Sequence, residues 1–172
     1  MGRTRMSVLG GIAMTIRLGD LLVKRGVITP AQQEAILDYQ RLTGRPFGEL
    51  AEKLYGVRET AIEQAWAEQY TALARHIDPR TQTIDPEVLP LIDRRQAWQF
   101  RMLPMRYDAR ELMVCTTPQH LVRALKFAGW KIRAQCYFVL TEALSLGEAL
   151  MRHYPMAGMS PEMIVERRMS VG

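Results

Sequence analysis

Up to about residue 70 the apolar residues recur at three- and four-residue intervals, the period of an amphipathic helix. Leu18, Leu21 and Leu22 share a face with Arg25, and Gly26 follows as a C-terminal cap. Thr29-Pro30-Ala31-Gln32 then opens a second helix. Thr29 can accept from the free amides, Pro30 suits the first helical position, and Gln32 completes a capping box. That helix is predicted to run to about Arg41, with Gly44 beyond it. Phe47, Leu50, Ala51 and Leu54 mark a third helix ended by Gly56. Ala61, Ile62, Ala65, Trp66 and Tyr70 form the stripe of a fourth, although Arg58 is a poor N-cap for it.

Past residue 75 the pattern alternates between helix and strand. His76-Ile77-Asp78 reads as a short strand, followed by turns from Pro79 to Pro86. A helix is predicted from Pro86 to about Phe100. Arg101–Tyr107 and Glu111–Thr116 flank Asp108-Ala109-Arg110 as a hairpin. Gln119–Trp130 reads as a helix, Lys131–Leu140 as a strand and Thr141–Tyr154 as a last helix. From Pro155 onward the Met-rich tail is expected to fray. The fold class is therefore α+β, with a helical amino-terminal part packed beside a carboxy-terminal α/β part that carries a small sheet and three helices.

The first four helices come from a duplication. Residues 17–40 read RLGDLLVKRGVITPAQQEAILDYQ, and residues 46–69 read PFGELAEKLYGVRETAIEQAWAEQ. Each places Gly after a large apolar residue (Leu18, Phe47), then an acid and Leu, and each ends at Gln (Gln40, Gln69). Two 24-residue units at a fixed register are the signature of a repeat. The domain reading is a dispensable extension over 1–13, the duplicated helical subdomain over 14–70, the α/β subdomain over 71–155, and a flexible tail over 156–172.

Composition narrows the function classes. The 172 residues are 48% hydrophobic and 24% charged, an ordinary globular balance. The net charge of +5 favours anionic partners. There is no clustered basic stripe or recognised nucleic-acid motif, so a nucleic-acid binder is the weakest of the three classes considered. Cys115 and Cys136 lie in apolar runs without metal-ligand spacing and are read as buried free thiols in a reducing cytoplasm. His76, His120 and His153 are scattered, without nucleophile or metal partners, so no catalytic residue is expected. Trp66, Trp98 and Trp130 are read as core anchors. No apolar run reaches the length of a membrane span, and no membrane insertion is expected. Arg3 and Arg5 before the weakly apolar Met6–Ile16 stretch allow two readings, a faint targeting signal or translation from Met14.

The repeat pair resembles the MshEN domain, a cyclic-di-GMP-binding domain at the amino terminus of type II secretion and type IV pilus ATPases of the GspE/PilB type. The first unit supplies Arg17-Leu18-Gly19, Leu22-Val23, Gly26, Val27-Ile28, Leu37 and Gln40 at the family's positions, while Gln33 stands where the family has Leu. The second unit departs further. Pro46 replaces the basic residue, with Arg45 adjacent, and Ala51-Glu52 replaces an aliphatic pair. Tyr55-Gly56 inverts the usual order; Ile62, Trp66 and Gln69 keep the helix pattern. The hairpin and Val114-Cys115-Thr116-Thr117-Pro118 look like the family's second, α/β part, so the likeness covers roughly 14–155.

The resemblance implies a regulatory module that binds and does not catalyse. No G-x-x-x-x-G-K-[ST] loop occurs in the chain, so it looks like a free-standing input domain without the ATPase. The implied ligand is cyclic-di-GMP, a near two-fold dianion, with no other cofactor and no metal. Arg17 and Gly19 are assigned to its polar contacts, since an Arg fork suits phosphate oxygens. Leu18, Leu22, Val23, Val27, Ile28 and Leu37, with Gly26 at the turn, would form an apolar bed for the guanines. Gln40 and Gln69 would hydrogen-bond the ligand. Phe47, Gly48 and Arg45 would serve the second half. The implied partner is a protein of a secretion, pilus or polysaccharide-export machine. The rival reading is a docking adaptor of such a machine that has lost the nucleotide.

Overall fold

A computed structural model of the chain describes residues 17–165. The readings made for residues 1–13, for Met14 and for the end of the tail lie outside them. The described chain is α+β and divides into two compact units, 17–73 and 74–165.

The first unit holds α1 (Leu18–Lys24), α2 (Pro30–Thr43), α3 (Phe47–Tyr55) and α4 (Glu59–Leu73). The Thr29 capping box forms: its hydroxyl accepts from the Gln32 amide at 3.1 Å, and the Gln32 side chain accepts from the Thr29 amide at 2.9 Å. Gly44 and Gly56 close α2 and α3 with φ of 67° and 64°, a left-handed conformation that glycine adopts without strain. α1 packs on α4 and α2 on α3, so the first helix of each repeat meets the second helix of the other. The buried core follows the duplication. Its eight residues are four pairs of equivalent positions: Leu21 with Leu50, Leu22 with Ala51, Ile28 with Val57, and Ile36 with Ala65. The turns that follow α1 and α3 are also equivalent. Ile28 N donates to Leu22 O and Val57 N to Ala51 O, both at 3.4 Å.

The second unit is built on a three-stranded sheet of order β1-β2-β3, with β1 at Leu103–Asp108, β2 at Glu111–Thr116 and β3 at Cys136–Leu140. The expected hairpin forms as an antiparallel pair from Leu103↔Cys115 to Asp108↔Glu111, with an irregular register between Pro104 and Arg106. Pro104 has no amide proton, and an edge strand tolerates it there. β3 runs parallel to β2, from Leu112↔Cys136 to Thr116↔Leu140, and is reached through α6 (Leu121–Lys131). His76 makes one parallel bridge to Leu140, in place of the short strand expected at 76–78. β2 is the central strand, and Leu112 to Thr116 are all buried, as a strand covered on both faces should be. α5 (Arg94–Phe100) and α7 (Ala143–His153) complete the unit.

Four expectations need correction. Residues 86–100 do not form one helix. A 3-10 segment, Pro86–Leu91, precedes α5, because Pro90 interrupts regular helix geometry and Asp93 restarts it with a capping box to Gln96. The tail does not simply fray after Pro155: a 3-10 turn at Pro161–Ile164 packs on α7 and buries Ile164. Trp98 is buried and donates from Nε1 to Tyr154 O at 2.9 Å, but Trp130 is 79% exposed and anchors no core. Cys115 is buried, whereas Cys136 is half-buried; both are free. Burial pushes their thiols up, to about 12 and about 11, so neither is a reactive thiolate near neutral pH.

Candidate functional site

The expected ligand residues all fall in the 17–73 unit. They gather first where the starts of α1 and α3 approach. A Cβ on Gly19 would lie 2.9 Å from Phe47 Cζ and 2.9 Å from Gln33 Nε2. A Cβ on Gly48 would lie 2.9 Å from Ile62 Cγ2 and 4.0 Å from Leu18 Cδ2. These are the same contacts with the repeats exchanged, since Phe47 matches Leu18 and Ile62 matches Gln33. The two glycines thus let the helix starts approach about a local two-fold relation. A side chain at either position meets a neighbour closer than ordinary van der Waals contact.

The cationic groups differ between the halves. Arg17 is exposed in extended backbone immediately before α1, and its carbonyl accepts from Leu21 N at 3.2 Å. The equivalent residue before α3 is Pro46. Arg45, one residue earlier, is engaged: it pairs with Glu49 Oε1 at 3.4 Å, and Lys53 meets the same oxygen at 2.8 Å. Gln40 joins this region by donating from Nε2 to the Arg45 carbonyl at 3.3 Å. Its counterpart Gln69 is only 7% exposed.

The apolar set separates into two kinds. Leu22 and Ile28, at 0% and 4% exposure, belong to the core and have almost no surface to offer a ligand. Leu18, Val23 and Phe47 are half-buried against that core and keep a free face. Leu37 is half-buried too, and Ile36 is the residue that α2 sends fully inward. Gly26, with φ of 70°, and the exposed Val27 form the turn after α1, one helix length (about 10 Å) from Arg17. Arg17, Leu18, Gly19, Phe47 and Gly48 are therefore brought together, and Gly26 and Val27 lie apart from them.

Two residues outside the expected set make defined contacts in this unit, one at each end of α1. Gln33 fills the space beside Gly19 and donates from Nε2 to Asp20 Oδ1 at 2.7 Å. The sequence signal for it is its equivalence to Ile62 in the apolar stripe of the second repeat. Arg25 ties α1 to α4 through Glu68 at 2.6 Å. Among the described residues no group of three or more His, Cys, Asp or Glu side chains is placed to hold a metal ion. Among them also, no helix is long and apolar enough to cross a membrane.

The model of the MshEN domain matches residues 70–160, more than half of the chain. The chain belongs to the MshEN domain family. The matched span starts at Tyr70, so it covers the α/β unit and leaves the two repeats before it. A longer alignment reaches the repeats. The chain is 27% identical over 156 residues to the type IV pilus assembly ATPase PilB of Myxococcus xanthus (strain DK1622), covering 88% of this chain and 26% of PilB. It therefore spans about a quarter of that relative. Among solved structures, MshE with cdg is similar at 27% identity and a TM-score of 0.45, covering 81% of this chain and 99% of that one. The N-terminal domain of XpsE is similar at 15% identity and a TM-score of 0.44, covering 85% and 99%.

Proposed function

We propose that this MshEN chain is a cytoplasmic regulatory module that binds cyclic-di-GMP and passes the signal to a protein of a type II secretion, type IV pilus or polysaccharide-export machine. It acts by binding and carries out no reaction. The observation that carries the reading is the close approach of two glycine-led helix starts from equivalent repeats, with Arg17 exposed beside them. A ligand with two-fold character matches a receptor with two-fold character. Arg17 supplies charge-assisted donors to a phosphate. The free faces of Leu18, Val23 and Phe47 cover apolar ring surface, and Gln40 offers an amide to a guanine edge. Arg45 serves the second half once released from Glu49.

Calorimetric titration with cyclic-di-GMP tests this, with GTP as the control ligand. Saturable binding that Arg17→Ala abolishes, with none for GTP, is the expected result. An absence of binding at ligand concentrations of about 100 micromolar, or roughly −5.5 kcal/mol, would overturn it. The second reading, a docking adaptor that no longer takes the nucleotide, would then hold. It is favoured by one feature of the second repeat: Pro46 replaces the counterpart of Arg17, and Arg45 is already paired.

A further inference from the structure

We propose that the outer face of α6, centred on Trp130, docks an acidic segment of a partner protein. From Leu112 to Thr141 the chain contains no Asp or Glu, while it contains Arg123, Lys126, Lys131 and Arg133. α6 turns Leu121, Ala124, Phe127 and Ala128 inward, which leaves Arg123, Lys126, Trp130 and Lys131 outward. The exposed Trp130 indole leans toward one inward ring. Its ring centroid lies 6.0 Å from Phe127, and Phe127 stacks on Phe100 at 3.9 Å with the planes 6° apart. Arg123 sits over the Phe100 ring at 5.5 Å. The result is an aromatic ring, mostly in water, on a helix whose exposed charged side chains, Arg123, Lys126 and Lys131, are all cationic. Lys131 also lines a shallow cleft of about 490 Å³ together with Asp93, Arg94 and His153.

The chemistry selects the occupant. Trp and Arg are the residue types enriched at protein–protein hot spots. The acid-free stretch gives this face complementarity to a negatively charged partner and speeds encounter with one. A lipid surface fits less well, because the apolar face of α6 is spent on the core and only one ring reaches outward. A nucleic-acid strand fits less well, because successive bases need successive stacking platforms, and Phe127 is buried. This face is separate from the residues assigned to cyclic-di-GMP, so its test is independent of that one.

The test uses the whole chain and a dye-labelled amphipathic helical peptide of Glu and Leu, with the same peptide carrying Lys in place of Glu as control. Fluorescence anisotropy should show saturable binding to the Glu peptide, weakened by added salt, and none to the Lys peptide. Trp130→Ala and the double variant Lys131→Glu/Arg133→Glu should each weaken it about tenfold or more. Their thermal melts should match the parent, because these side chains are exposed. Peptide affinity unchanged in both variants would overturn the proposal. So would stronger binding to phosphatidylserine vesicles or single-stranded DNA with the same dependence on Trp130. Iodide quenching that is identical in the parent and in Trp130→Phe would show the indole already covered, and would overturn it too.

Discussion

At the scale of single residues, the glycines separate conformational need from spatial need. Gly147 sits inside α7, where an exposed Gly→Ala change ordinarily stabilises by about 1 kcal/mol. Here the added Cβ would lie 2.5 Å from both Cα and O of Pro161, backbone atoms that cannot rotate away. Gly147→Ala should therefore destabilise, by about 1–3 kcal/mol for overpacking, and thermal denaturation should show the reversed sign. His153 carries a second test. Burial, with Arg152 beside it, lowers its affinity for a proton in the fold. Over the window below its ordinary value of 6.5 the unfolded chain binds the proton more readily than the native one, so stability falls as pH falls there. The melting temperature should drop between pH 7 and pH 5.5, and His153→Gln should reduce that drop. An equal drop in the variant would assign it to other groups.

At the scale of elements, the cap chemistry could be read directly because it is local. Thr29, Pro30 and Gln32 satisfy one another within four residues, and the structure contains the predicted bonds. Thr29→Ala should cost about 1 kcal/mol, read as a lower midpoint in urea with an unchanged slope. The same logic was available at Asp93 and Gln96, where a capping box splits the region expected to be one helix. Pro90 is the local signal against one regular helix there. Non-local facts were harder to read. The helical spacing of Leu121, Ala124 and Phe127 turns Phe127 inward, but the stacking on Phe100 of α5 is what shows its partner. Ile164 is likewise buried by α7 and not by its neighbours in the Met-rich tail. In the candidate site the equivalence of the repeats was legible, including the paired positions Gly19 and Gly48. The division of Leu22 and Ile28 from Leu18 and Val23 was not. All four are aliphatic, and only the packing of four helices separates core from surface.

At the scale of the whole molecule, the 17–73 unit has a small core drawn from both repeats. The 17–73 core is eight residues, four from each repeat, and it contains Ala51 and Ala65 where the first repeat has Leu22 and Ile36. The apolar volume contributed by the first repeat is thus the larger share, and Leu22 is fully buried within it. A unit of this size has a stability of only about 3–9 kcal/mol at typical values per residue. Leu22→Ala removes about 2–5 kcal/mol through lost transfer energy and the cavity left behind, which is comparable to the whole. Leu22 belongs to the core cluster of the 17–73 unit. The variant should therefore lose structure in one part of the chain only. Hydrogen exchange followed by mass spectrometry should find amides of α1 to α4 exchanging rapidly, while those of β1 to β3 keep their protection. Simultaneous loss of protection in both units would show that they unfold as one.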